Sequence, residues 1–237
     1  GGGGSIIAVP LLVYVVGVSS PHAAIGTAAV AVALNALAGL AGHARAGTVK
    51  WPCALTFSLA GVIGASLGAH LGKAMDGQRL LALFGAMMIV IGLSMLRPRR
   101  SPENPHVRLN RASASSLLPR LVPAGLGVGL LAGFFGIGGG FLIVPALIVA
   151  TGMPLRTAVG TSLVAVAALG LTTAASYALS GYVEWSLVGL LVAGGLAGAI
   201  GGIALGKRLA GAKRAMEIGF ALLVTCVGAY VVMRGLA

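Results

Sequence analysis

Long apolar stretches, separated by short polar or glycine- and proline-containing breaks, follow one another along the whole chain. A helix that crosses a bilayer needs about 20 apolar residues. Six stretches come close to or exceed this length: 23–44, 51–71, 80–96, 155–179, 185–205 and 215–233. Glycines interrupt the shorter apolar regions 5–18 and 121–150. This pattern predicts an all-α, polytopic integral membrane protein that is embedded in the lipid bilayer.

Composition and charge exclude a soluble globular protein. Hydrophobic residues make up 58% of the chain, only 16 Lys+Arg and 4 Asp+Glu are present, and the mean hydropathy is +1.03. A formal charge of +12 would suit nucleic acid, but the basic residues lie at the ends of apolar stretches and form no basic helix face. We therefore interpret them as signals of membrane topology and expect no nucleic-acid partner.

The sequence repeats itself. Gly3-Gly4 through Pro10 matches Gly138-Gly139 through Pro145 at an offset of 135, and later positions match at an offset of 134. The matched pairs include Gly26-Thr27 with Gly160-Thr161, Trp51 with Trp185, and Gly64, Gly68 and Gly72 with Gly198, Gly202 and Gly206. This predicts a first transmembrane repeat over 1–96, a basic cytoplasmic linker over 97–120 and a second repeat over 121–237. The lead-in stretch 121–135 has no counterpart in the first copy, where we expect a short helix to be missing.

The distribution of Lys and Arg chooses between two topologies for the glycine-interrupted segments. With one broken crossing per segment, the two sides of the membrane carry nine and seven basic residues. With re-entrant hairpins, they carry thirteen and three. The second distribution predicts two inverted repeats, each with a re-entrant broken helix plus three transmembrane helices, as in secondary transporters. We place the thirteen charges in the cytoplasm.

The glycine clusters are candidate binding elements. Irregular backbone inside a bilayer is tolerated only where it lines a cavity or is buried in protein. A helix that begins at such a break directs its free N–H groups and positive dipole end toward the gap, which suits an anion. The candidate positions are Gly138, Gly139, Gly140 and Phe141 in the second copy, and Gly3, Gly4 and Ser5 in the first. Evenly spaced glycines such as Gly64 and Gly68 instead indicate tight helix packing.

Polar side chains inside the apolar stretches are further candidates. Thr27 and Asn35 in the first copy, and Thr161 and Ser162 in the second, follow the glycine break by one helix. Their hydroxyl and amide groups could donate to a bound oxyanion near the middle of the membrane. The alternative is that each hydroxyl bonds a preceding carbonyl of its own helix.

Several kinds of chemistry are disfavoured. All four acidic residues fall in predicted loops or at helix ends, so no carboxylate is expected in mid-membrane. The two cysteines, Cys53 and Cys226, lie inside apolar stretches without metal-ligand spacing. We expect no enzyme activity, no cofactor and no metal.

The motif Gly133-Phe134-Phe135-Gly136-Ile137-Gly138-Gly139-Gly140-Phe141-Leu142-Ile143-Val144-Pro145, followed by Ala158-Val159-Gly160-Thr161-Ser162, resembles the TauE/SafE sulfite exporter family of bacterial membrane permeases. The resemblance extends over both repeats. It implies transport of sulfite, sulfoacetate or a similar organosulfonate across the bacterial inner membrane. The first copy departs from the motif, with Ser5 in place of Gly140 and Ala28 in place of Ser162.

The leading hypothesis is thus a multi-pass permease for a small sulfur-containing anion, bound near the membrane midplane by the glycine-rich breaks. Two alternatives remain. One is a non-transporting structural membrane subunit that packs against partner helices, and the other is a channel for neutral solutes. The glycine seams also allow a homo-oligomer.

Overall fold

The computed structural model describes the backbone of residues 3–96, 109, 113–136, 139–208 and 213–236. Side chains are described for 6–96, 109, 113–136, 139–202 and 218–235. Within these residues the fold is all helical. The helices are α1 Gly3–Tyr14, α2 Pro21–Arg45, α3 Trp51–Ala74, α4 Gly77–Leu96, α5 Ala114–Phe135, α6 Gly140–Thr151, α7 Leu155–Leu179, α8 Trp185–Arg208 and α9 Lys213–Leu236.

Seven of these helices are long and apolar enough to cross a membrane. Six are those predicted from the long apolar stretches, and the seventh is α5. Its 22 residues extend about 33 Å, so the segment before the glycine break is a full-length helix and not the short one predicted. The helix begins at Ala114, inside the range predicted as linker, and contains Pro119 and Pro123.

The ends of the helices follow local sequence signals. Ser20 precedes α2, and its hydroxyl accepts a hydrogen bond from the N–H of Ala23 at 3.3 Å, while Pro21 occupies the first helical position. Glycines with positive φ stand at the sharp turns after α2 and α7: Gly47 at +65° and Gly181 at +76°. After each turn the next helix packs against the other copy: α3 lies against α7, and α8 lies against α2.

α5 and α6 form a hairpin around the glycine break. Gly136 ends α5 with φ +65°, and Gly139 precedes α6 with φ +70°. This left-handed backbone strains any residue with a Cβ, which explains the glycines. After the turn α6 runs back along α5, so that Ala150 lies in the same groove as Arg120, close to the start of α5.

Helices of equal rank in the two copies have similar lengths, and three of the four pairs, α1 with α6, α2 with α7 and α4 with α9, contact each other. α1 and α6 each have 12 residues, α2 and α7 each have 25, and α3 and α8 each have 24. α2 and α7 are antiparallel: Gly26 approaches Tyr177, Ala33 approaches Gly170, and Gly160 approaches His43. α4 and α9 are also antiparallel, since Gly85 lies against Gly228 and Gly92 against Ala221.

α3 and α5 form the closest seam of the bundle. They run parallel, and a Cβ added at Gly64, Gly68 or Gly72 would overlap the backbone carbonyl of Leu126, Leu130 or Phe134, respectively. The glycines of α5 approach α3 equally closely, with Gly129 against Gly61 and Gly133 against Ala65. The even spacing of glycines in α3 is thus a packing device, as its sequence indicates.

Candidate functional site

The glycine break extends from one end of the bundle toward its middle. Gly136 lies against Ile25, in the second turn of α2. Gly139 lies beside Ala132, one turn before the end of α5 and at the level of Gly68, about two turns before the end of α3. Because α6 starts immediately after Gly139, its N-terminus lies inside this end of the helix bundle.

The N-terminus of α6 is buried and lacks a side-chain cap. Gly139 and Gly140 are both buried, and no side chain of the described residues accepts a hydrogen bond from the first turn. The first backbone bonds of the helix run from the N–H groups of Leu142 and Ile143 to the carbonyl of Gly139. The N–H groups of Gly140 and Phe141 come before these bonds, and N–H groups at this end of a helix carry positive partial charge, so this end can bind an anion.

Thr27 and Thr161 occupy equivalent positions and make equivalent contacts between the copies. The N–H of Glu184 donates to Thr27 Oγ1 at 2.9 Å, and the N–H of Lys50 donates to Thr161 Oγ1 at 3.0 Å. Both threonines are fully buried. Since α2 and α7 are antiparallel, the two contacts lie at opposite ends of this helix pair. We call them the threonine contacts.

Ser162, which follows Thr161 in α7, and Asn35 of α2 do not take part in the threonine contacts. Ser162 Oγ donates to the carbonyl of Val159 in its own helix at 2.8 Å. Asn35, in the middle of α2, faces α8, where its Nδ2 donates to the carbonyl of Leu191 at 3.4 Å. Its Oδ1 is buried without a hydrogen-bond partner in the described part of the chain. The predicted residues therefore surround the α2–α7 pair at several levels and do not converge on one point.

Phe141, the remaining described candidate, is half-buried in the first turn of α6 and packs against the cluster that contains Ile25 and Phe135. In the first copy, α1 begins at Gly3, so Gly3, Gly4 and Ser5 form its first turn. The side chain of Ser5 lies outside the described residues, as does the whole of Gly138.

Sequence reasoning missed a group of side chains near the start of the glycine break. Lys73 Nζ donates to the carbonyl of Ser176 at 3.0 Å and lies 5.8 Å from the ring centroid of Tyr177. The ring of His22 forms a triangle with those of Tyr177 and Tyr182, with centroid distances of 6.4 Å and 5.4 Å to them and 6.3 Å between the two tyrosines. In the repeat Tyr177 matches His43 and Lys73 matches Lys207, and these matches were the signals that could have marked this group.

An open apolar groove lies between α5 and α6. Its volume is about 710 Å³. The residues that line it are Arg120, Pro123, Ala124, Gly127, Val128, Leu131, Pro145, Ala146, Val149 and Ala150. None of these residues belongs to the glycine break. Across the described residues, no three His, Cys, Asp or Glu side chains are grouped so that they could hold a metal ion.

The chain is similar to known membrane transporters. It is 47% identical over 237 residues to the "Probable membrane transporter protein" of Xylella fastidiosa strain 9a5c, covering 100% of this chain and 90% of that protein. It is 29% identical over 224 residues to the "Probable membrane transporter protein YunE" of Bacillus subtilis strain 168, covering 87% of this chain and 82% of that protein. No solved structure matches the chain significantly.

The family model described as "Sulfite exporter TauE/SafE" matches residues 1–231, nearly the whole chain. This match includes the glycine breaks, both threonine contacts and the helices that pair between the copies, α9 as far as residue 231. Together with the relatives' names, it indicates a transporter and not an enzyme. The chain belongs to the TauE/SafE family of multi-pass membrane transporters.

Proposed function

We propose that this transporter is a permease of the bacterial inner membrane that moves a small sulfur-containing oxyanion, such as sulfite or an organosulfonate. The observation that carries the proposal is the N-terminus of α6, which is buried, uncapped by any described side chain and located inside the bundle. The family description supports the choice of a sulfur-containing anion.

The charges of the helices fit an anionic substrate. Asp76 and Glu184 lie in loops between helices, and Glu217 is the fifth residue of α9. No acidic residue therefore lies in the middle of a described helix, where it would repel an anion. Arg and Lys also lie toward helix ends, so recognition at the break depends on backbone N–H groups and the helix dipole.

The arrangement of the copies supports alternating access. Because α2 and α7 are antiparallel, as are α4 and α9, the two copies are related as an inverted repeat would require. In transporters of this kind, substrate binds where broken helices from the two repeats meet. Here α1 and α6, the two short helices that start at glycine breaks, contact each other.

The proposal is tested by flux measurements in proteoliposomes loaded with sulfite, sulfoacetate or thiosulfate, with urea as a neutral solute. We expect flux of at least one sulfur-containing anion and none of urea. Equal flux of urea would indicate a channel for neutral solutes, and no flux of any solute would indicate a structural subunit.

Replacement of Gly139 tests whether the break is part of the path. A Cβ at this position would lie 2.8 Å from the Cβ of Ala132, at φ +70°, and would displace the first amides of α6. We expect Gly139→Ala to reduce anion flux at least tenfold in correctly inserted protein. The matched control is Gly47→Ala, which has a similar φ of +65° but open space around the new Cβ. Wild-type flux in Gly139→Ala would place the anion site elsewhere.

A further inference from the structure

A lysine without a carboxylate partner lies at the end of the bundle where the glycine break begins. Lys73 is the penultimate residue of α3 and follows Gly72, which packs against the backbone of Phe134 near the end of α5. Its Nζ donates to the carbonyl of Ser176 at 3.0 Å and to Ser180 Oγ at 2.9 Å. Both acceptors are neutral, and among the side chains that the structure describes no carboxylate pairs with Lys73. Its positive charge is therefore uncompensated by these residues.

Tyr177 contributes an unused hydroxyl beside this lysine. Its side chain is fully buried, its ring centroid lies 5.8 Å from Lys73 Nζ, and its hydroxyl has no hydrogen-bond partner among the described residues. The repeat shows how the same position is satisfied in the first copy. The counterparts of Tyr177 and Tyr182 are His43 and Thr48, which are joined by a hydrogen bond of 2.9 Å between Nδ1 and Oγ1. The second copy thus keeps a buried polar group free where the first copy pairs it, and such a group costs stability.

The start of α2 places this cluster beside the glycine break. Nε2 of His22 lies 3.4 Å from the carbonyl of Gly72, and the ring of His22 is inclined by 25° to that of Tyr177. Ile25, about one turn further along α2, contacts Gly136 and belongs to the same apolar cluster as Tyr177. The ends of α3 and α7 and the start of α2 therefore surround the beginning of the break.

The lysine lies farther out along the bundle than the N-terminus of α6. Gly139, which precedes α6, is at the level of Gly68 in α3. Lys73 is five residues beyond Gly68, about 7 Å along the axis of α3. An ion that moves between the N-terminus of α6 and this end of the bundle therefore passes the level of Lys73.

We propose that Lys73 and Tyr177 form a second binding site for the transported oxyanion, which holds the ion as it enters or leaves the glycine break. An ammonium group has three N–H donors, and two of those of Lys73 are used, so one remains for an anion. The hydroxyl of Tyr177 supplies another donor. The oxygens of sulfite or of a sulfonate group accept such bonds, and a bond between two charged groups is the stronger kind. The choice of a sulfur-containing ion rests on the proposed function, whereas the site itself requires only an oxyanion.

The test uses Tyr177→Phe and Lys73→Gln, with Arg79→Gln as the matched control. Tyr177→Phe removes only a hydroxyl without a partner in the described residues, so the variant should be at least as stable as the wild type. Arg79 is an exposed residue in the first turn of α4, and its replacement removes the same charge without changing Lys73 or Tyr177. Thiosulfate is the probe. Its binding is measured as the concentration that gives half of the maximal rise in the midpoint of thermal unfolding in detergent, and its KM is measured by flux in proteoliposomes.

We expect Lys73→Gln to raise both the half-stabilising concentration and the KM about tenfold or more, and Tyr177→Phe to raise them about threefold or more. Arg79→Gln should change them by less than about twofold, because an exposed charge is screened by salt. A cation near the end of a helix also stabilises the helix dipole. Unchanged values in both Lys73→Gln and Tyr177→Phe would leave Lys73 only that structural role and overturn the proposal.

Two further outcomes would also overturn it. One is an equal effect of Arg79→Gln, which would indicate attraction by diffuse surface charge, and the other is a wild-type protein that thiosulfate does not stabilise. The proposed function can fail separately. If thiosulfate stabilises the wild type but not Lys73→Gln, and no sulfur-containing anion is transported, the site is supported as one for another oxyanion and the proposed substrate is wrong.

Discussion

Two buried hydroxyls hold corresponding loops of the two copies at corresponding helices. Thr27 accepts from the backbone N–H before α8, and Thr161 accepts from the backbone N–H before α3. Gly26 and Gly160, which precede these threonines, allow the approach: a Cβ at Gly26 would overlap the carbonyl of Tyr182, and one at Gly160 would lie 2.7 Å from Thr48 Oγ1. The Gly-Thr pair is therefore one structural unit, in which the glycine admits the loop and the threonine binds it.

We expect Thr27→Ala and Thr161→Ala each to lower the free energy of unfolding by about 1–3 kcal/mol, because each leaves a buried backbone N–H without its acceptor. Thr161→Ser should retain stability, since the hydroxyl is kept. Equilibrium unfolding in mixed micelles measures the effect. Ser162→Ala is the matched control: its hydroxyl bonds a carbonyl of its own helix, and its loss should change stability by less than about 0.5 kcal/mol. Equal stability of all four variants would contradict the structural role of the threonine contacts.

The same threonines were predicted as ligands of the anion, and that role stays a prediction. A hydroxyl that accepts from a backbone N–H can still donate its own proton. Substrate titrations of Thr161→Ser and Thr161→Ala separate the two roles. A lost ligand contact would raise the KM of Thr161→Ala, whereas a purely structural loss would reduce the amount of folded transporter and leave its KM unchanged. Each threonine thus makes a structural contact through its hydroxyl oxygen, and the titrations determine whether its hydroxyl proton also binds the substrate.

At the scale of elements, the seam between α3 and α5 depends on those glycines of α5 that face α3, and other glycines of the same helix face away from the seam. Gly129 lies directly against the carbonyl of Gly61, whereas Gly127, two residues earlier, has no atom within 4 Å of an added Cβ. We expect Gly129→Ala to destabilise the protein by about 1–3 kcal/mol through overpacking. Gly127→Ala should be neutral or stabilise α5 by up to about 1 kcal/mol, because alanine favours the helix. Thermal unfolding in detergent compares the two variants, and similar midpoints would mean that the seam is loose.

Most helices could be predicted from the sequence because a membrane crossing demands a long apolar stretch. The stretch 155–179 coincides with α7, and 185–205 falls within α8. The start of α5 could not be predicted in this way. The sequence predicts a linker as far as residue 120, but the structure begins α5 at Ala114 and places Pro119 at its sixth residue. Proline is tolerated in membrane helices where neighbouring groups satisfy the freed carbonyl, and this depends on tertiary packing.

The candidate site was less predictable than the helices, because its contacts also depend on tertiary packing. Glycine clusters signal a break locally, and both turns with positive φ at Gly136 and Gly139 lie where the cluster predicts them. The partners of Thr27 and Thr161, in contrast, are 157 and 111 residues distant in the chain. Only the repeat itself, which makes Lys50 the counterpart of Glu184, contains a signal for such reciprocal contacts.

For the whole molecule, the antiparallel pairing of α2 with α7 and of α4 with α9 bears on the relative orientation of the two copies. The sequence alone predicts this orientation only from the numbers of basic residues on the two sides of the membrane. Corresponding loops must lie at opposite ends of the bundle. The loop with Gly47 is at the end of α2, next to the start of α7, and the loop with Gly181 is at the end of α7, next to the start of α2. If α2 and α7 cross the membrane, these two loops face opposite compartments.

Single cysteines in the two loops test this inversion. Gly47 and Gly181 have similar φ values of +65° and +76° and open space for a side chain, so Gly47→Cys and Gly181→Cys carry comparable strain. The background is Cys226→Ser, because Cys226 is exposed while Cys53 is buried. We expect a membrane-impermeant maleimide added to spheroplasts to label Gly181→Cys, and to label Gly47→Cys only after lysis. The reason for this orientation is that Arg45 and Lys50 flank the first loop, on the side to which we assign thirteen basic residues. Labelling of both variants from outside would exclude the inverted repeat, and labelling of Gly47→Cys alone would keep the inversion but reverse the orientation.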